Sequence, residues 1–187
     1  MKQLALFLIT LPSMLLLATV LFAAPKPDTV VNKLEPCECG NVKNIHRFGN
    51  IYLAGQPQAD DFRIAHEMGI KSVLSIREQS ELDWDEKKVV EDLGMKYFHV
   101  PFRGPEKLTD NVFAKTRKLF TDKSKHPIMV HCGSANRVGA VWLAHRVLDG
   151  GITKEAALAE AKKVGLRTPG YIDKVHDYIE RMQKKKD

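Results

Sequence analysis

Short apolar runs alternate with stretches of helical period along most of this chain. Ile51-Tyr52-Leu53, set before Gly55-Gln56-Pro57, predicts a short strand. Asp60–Met68 predicts a helix stopped at Gly69, Lys71–Ile76 a strand, Glu81–Leu93 a helix ended by Gly94, and Lys96–Val100 a strand. Asp110–Asp122 reads as the next helix, with Thr109 or Asp110 as cap. Ile128-Met129-Val130 follows Pro127 as a buried strand. Val138, Val141, Trp142, His145 and Leu148 then recur at helical spacing until Gly150-Gly151. Thr153–Val164, stopped by Gly165, and Pro169–Gln183, capped by Thr168, predict two last helices. Alternation of this kind implies an α/β, three-layer domain with a mostly parallel sheet flanked by helices. In such sheets the ligand site lies beyond the carboxyl ends of the strands.

The domain pattern covers residues 45–187. Residues 25–44, with Pro25, Pro27, Pro36 and Gly40, read as a linker or irregular leader. Before them, Lys2 precedes the apolar stretch Leu4–Ala24, so residues 1–24 read as an export signal or an N-terminal membrane anchor. Either reading places the domain outside the cytosol, periplasmic or secreted. The formal charge is +6, which favours an anionic substrate. No aromatic and basic residues interleave and no zinc-finger spacing occurs, so no nucleic-acid partner is expected. His46, His66, His126, His145 and His176 lack ligand spacing, and no metal is expected. The sequence carries no signal for an oligomeric state.

The chemistry concentrates in IMVHCGSANRVGAVWLA, residues 128–144. Cys132 ends the predicted strand, small residues follow, and Arg137 opens the helix. Small side chains let the amides of Gly133, Ser134, Ala135, Asn136 and Val138 converge, and the helix start adds partial positive charge. Such a loop binds an oxyanion and stabilises a thiolate at its base. Arg137 offers a planar fork for two oxygens. The pattern predicts a cysteine nucleophile attacking an anionic group, with His131 in support. Cys37 and Cys39 read either as a resolving partner for Cys132 or as incidental thiols of the leader. Arg77 and Arg103 read as lining the mouth, and His99 as a packed strand residue.

These residues resemble the cysteine-dependent phosphatase superfamily, in its compact dual-specificity-like branch. Within it, the chain is similar to bacterial phosphatase-like domains of the kind fused to NAD kinase and to beta-lactamase-hydrolase-like proteins of sulfide metabolism. The resemblance spans Ile45–Ile179 and rests on IYLAGQP, KSVLSIRE, HVPFRGP and above all HCGSANRVGA. It implies four to five strands with flanking helices, no metal or organic cofactor, Cys132 as nucleophile, Arg137 as anion clamp and Gly133–Val138 as cradle. The implied reaction hydrolyses phosphoesters through a phosphocysteine.

Three features depart from the phosphatase pattern. Only four residues separate Cys132 from Arg137, one fewer than usual. Val138 stands where serine or threonine usually assists departure of the thiolate. The loop from Pro101 to Glu106 lacks the usual acidic aspartate, leaving Glu106, and less favourably Asp110, as proton donors. The shorter loop matches rhodanese-type sulfurtransferases, whose reaction through a Cys132 persulfide would need neither acid nor hydroxyl. The expected substrate is therefore a phosphorylated or a sulfur-containing anion. A third reading, an inactive anion-binding module, would have no use for Cys132.

Overall fold

The structure is a computed structural model that describes residues 33–185. The Leu4–Ala24 stretch, and with it the expectation of export, lies outside the described residues. Four parallel strands form one side of a single sheet: β3 (Ile51–Ala54), β4 (Ser72–Ser75), β5 (Lys96–His99) and β6 (Ile128–His131). Two short antiparallel strands, β1 (Glu35–Pro36) and β2 (His46–Phe48), extend it to six in the order β1-β2-β3-β6-β4-β5. Leu34–Asn44 is therefore not a linker here. It packs on the domain, with Cys39 and Val42 buried. Two-residue pairing is too short to show a period in sequence.

Alternation across the strands divides the core in two. Ile128 and Val130 join Leu53 and Leu74 on one face, under α3 (Asp110–Thr121), α4 (Asn136–Leu148), α5 (Lys154–Val164) and α6 (Pro169–Lys184). Met129 joins Tyr52 and Val73 on the other, under α1 (Ala59–Glu67) and α2 (Glu86–Asp92). Helix α4 is apolar nearly all round, with Val138 to His145 all buried, because neighbouring helices and the sheet enclose it. Gly139 permits the closest of these approaches. A Cβ there would stand 2.8 Å from the Ala161 carbonyl oxygen and from Leu166 Cβ.

One predicted boundary moves. Helix α2 starts at Glu86, not Glu81, and Asp85 caps it by accepting the Lys88 N–H at 2.9 Å. Residues 79–81 form a separate 3₁₀ turn. The displaced Glu81 makes its contacts elsewhere, with Arg137 in the first turn of α4.

Candidate active site

Cys132 leaves β6 with its N–H bonded to the Ala54 carbonyl at 3.3 Å. The chain then turns within four residues into α4. Ala135 makes the turn, in the left-handed conformation at φ 62°, where a Cβ costs roughly 1 kcal/mol relative to glycine. Apart from an isolated antiparallel bridge that pairs Ser134 with Gly55, the amides of Gly133 through Val138 make no hydrogen bond to the described residues. The first intrahelical bond is Gly139 N–H to Ala135 O at 2.8 Å. The run lies at a helix start, where backbone donors lack intrahelical partners.

The loop is braced from behind. Asn136 Oδ1 accepts the Arg167 N–H at 2.9 Å, and its Nδ2 donates to Thr168 Oγ1 at 2.7 Å. Arg167 Nη2 donates to Ser134 Oγ at 2.7 Å. The side chains of Ser134 and Asn136 therefore tie the loop to the α5–α6 turn, and only their amides belong to the cradle.

Arg137 is 8% exposed and fixed by three groups. Nη1 donates to Glu81 Oε2 at 2.7 Å and to the carbonyls of Phe102 at 2.8 Å and Ile76 at 3.2 Å. Nη2 donates to Glu81 Oε1 at 2.9 Å. Of the five guanidinium donors, Nε–H and one Nη2–H remain uncommitted to the described residues. They can serve two oxygens of an anion. Burial works against the charge of Arg137, but Glu81 outweighs it and holds the group more basic than usual. Burial likewise opposes ionisation of Glu81, yet bonds from Arg137 and from the Glu78 N–H keep its carboxyl below the ordinary range.

A second buried pair lies under the nucleophile. His131 points to the face opposite Cys132, edge-on to Phe62, with Nε2 3.1 Å from Glu86 Oε1. Neither ring nitrogen makes an aligned hydrogen bond, so this is a close polar contact. Gln56 Nε2 and the Tyr97 hydroxyl donate to the two Glu86 oxygens at 2.7 and 3.1 Å. Arg77 does not line the mouth. It donates to Gln56 Oε1 at 2.8 Å and to the Glu81 carbonyl, joining the two buried carboxylates into one network. His99 donates to the Arg77 carbonyl at 2.7 Å, and Arg103 is exposed on the loop after β5.

Burial alone would raise the Glu86 carboxyl, but His131 and the Gln56 bond lower it to about 2. A folded value below the unfolded one stabilises the fold above the unfolded pKa. That contribution, about 3 kcal/mol, should be present above pH 4.5 and lost as pH falls toward 2. Urea unfolding of wild type across this window should show the loss, and Glu86→Gln should flatten it. A wild-type profile already flat between these limits would overturn the assignment.

The two proton-donor candidates part company. Asp110 binds Arg181 bidentately at 2.6 and 2.8 Å, joining α3 to α6, and these bonds hold its carboxyl below the usual range. That commitment removes it as an acid. Glu106 folds back over Gly104 in the turn after β5, where a Cβ on Gly104 would stand 2.4 Å from both carboxylate oxygens. The thiols at the leader are also elsewhere. Cys39 packs with α1, its Sγ near the Asp61 carbonyl at 3.7 Å, and burial pushes both Cys37 and Cys39 up to about 11. Neither resembles a resolving thiol.

Sequence reading missed Glu81, Glu86 and Gln56. The first two carry no local signal. Gln56 was visible only as part of IYLAGQP. Among the described residues no group of three or more His, Cys, Asp or Glu side chains could hold a metal ion.

The fold and the loop together place Cys132 and Arg137 at the carboxyl ends of the parallel strands. The sequence pattern of the tyrosine phosphatase family matches residues 34–151, and the chain belongs to that family: it is a cysteine-dependent phosphatase. No curated protein matches significantly. Among solved structures, TpbA of P. aeruginosa is similar at 19% identity and a TM-score of 0.62, over 79% of this chain and 89% of its own. A TpbA variant in complex with pTyr gives 18% and 0.61, over 78% and 87%. The catalytic core of the PP-IP phosphatase Siw14 of S. cerevisiae gives 19% and 0.63, over 77% and 93%. At these identities the likeness is one of fold.

Proposed function

We infer that the protein hydrolyses aryl phosphate monoesters, of phosphotyrosine type, through a phosphocysteine on Cys132. The observation that carries this is Arg137, fixed by Glu81 and two carbonyls with two donors left for an anion beside the amides of the loop. The pTyr bound to the TpbA variant supports the aryl choice. In the first step the Cys132 thiolate attacks phosphorus. The bond from phosphorus to the ester oxygen breaks; the oxygen keeps that bond's electron pair and receives a proton from Glu106, which becomes carboxylate. In the second, water attacks phosphorus, the S–P bond breaks, the thiolate returns and Glu106 takes the proton of the water. Charge on the remaining oxygens meets the amides of Gly133–Val138 and Arg137.

Val138 offers no hydroxyl to assist the departing thiolate, which makes the second step the slower one. Rapid quench with an activated aryl phosphate should therefore trap an adduct of about 80 Da on Cys132, the mass of a phosphoryl group. Absence of this adduct, with thiosulfate instead leaving a single sulfur on Cys132, would transfer the assignment to sulfur chemistry. The apolar Leu4–Ala24 stretch supports export. N-terminal sequencing of native material should then start near Ala24 or Pro25, and a full-length cytosolic chain would refute it.

A further inference from the structure

The turn that carries Glu106 is held at two points. Arg137 Nη1 takes the Phe102 carbonyl at 2.8 Å. The Gly104 N–H donates to the hydroxyl of Tyr171 at 3.0 Å. Tyr171 lies in the first turn of α6, 6% exposed, with its ring edge-on to Phe102 at 5.8 Å. Its neighbour Gly170 lies so near the turn that a Cβ there would stand 2.8 Å from Pro105 Cγ. Gly104, at φ +86°, sits between the Tyr171 hydroxyl and the Glu106 carboxylate. Phenylalanine would fill the same aromatic position against Phe102. Only tyrosine supplies an acceptor for the Gly104 N–H, and it keeps its own O–H to donate.

We propose that Tyr171 is a positioning residue for proton transfer, its hydroxyl fixing the Gly104–Glu106 turn so that the Glu106 carboxyl faces the leaving-group oxygen. The proposal rests on the reading of Glu106 as the proton donor. Burial keeps the phenol above its usual range and therefore neutral, although the Gly104 N–H and Arg137 pull the other way.

The test compares Tyr171→Phe, Glu106→Gln and the double variant on aryl phosphates of graded leaving-group pKa. It reads kcat/KM, which reports the first chemical step. General acid catalysis contributes roughly a hundredfold to ten-thousandfold. Tyr171→Phe should lose about tenfold of that on phenyl phosphate and almost nothing on dinitrophenyl phosphate, steepening the dependence on leaving-group pKa. Inhibition by inorganic phosphate should stay unchanged. Glu106→Gln should show the same steepening, larger, and the double variant should be no worse than Glu106→Gln alone. A uniform loss across all leaving groups, or none, would overturn the proposal. So would losses that multiply in the double variant, because the tyrosine would then act without Glu106. If Glu106→Gln steepens the dependence and Tyr171→Phe does not, the donor stands and the positioning role falls. If Glu106→Gln leaves it flat, the donor assignment falls and the proposal with it.

Discussion

Cys132→Ser is expected to reduce hydrolysis of an aryl phosphate on the order of 10⁴-fold or more. In the proposed mechanism the loop, and not a base, activates the nucleophile. His131, the nearest imidazole in sequence, turns to the opposite face of the sheet, against Phe62 and Glu86. A serine hydroxyl at the same place would find the loop amides and an arginine but nothing to take its proton. Those donors would still bind an anion. Inorganic phosphate should therefore inhibit or bind the variant within a few-fold of wild type, by calorimetry, while kcat collapses. A serine variant retaining a tenth of the wild-type rate would mean that attack comes from another group. Loss of phosphate binding together with turnover would mean that the sulfur shapes the loop.

Most of the fold was legible because each central element carries its own period. Strands β3 to β6 and helices α1 and α3 to α6 stand close to where apolar spacing and glycine stops place them. The loop was legible for a related reason: a cysteine, small residues and an arginine stand together in one short segment. What escaped depends on contacts distant in sequence. Glu81 reads as the first turn of a helix, yet its carboxylate is drawn to Arg137, 56 residues away, and the helix begins only at Glu86. Asp110 has the look of a spare acid, and Arg181, 71 residues on, occupies it. Tyr171 lies in the predicted Pro169–Gln183 helix with nothing local to single it out, and its hydroxyl meets Gly104 across 67 residues. Local pattern contains periodicity and caps. It does not contain the partner of a buried charge.

Arg137→Lys should then lower kcat/KM by on the order of a hundredfold or more, although charge is conserved. The guanidinium here does two jobs at once. Its Nη1 and one Nη2–H are spent on Glu81, Phe102 and Ile76, and Nε–H with the other Nη2–H remains for the substrate. A lysine ammonium has three donors on one atom and no fork. Drawn to the Glu81 carboxylate, it would leave the cradle; drawn to the phosphate, it would abandon a carboxylate that is largely buried. The Phe102 carbonyl would lose its bond in either case, loosening the turn that carries Glu106. Loss should therefore appear in phosphate affinity as well as in kcat/KM, which separates it from Cys132→Ser. Glu81→Gln provides the complementary measurement. It keeps the two carbonyl bonds to Arg137 but removes the charge that holds the fork, so about a tenfold loss is expected. Kinetics within a few-fold of wild type for Arg137→Lys would show that the bound oxyanion does not meet the fork, and that the arginine serves only to close the core around Glu81.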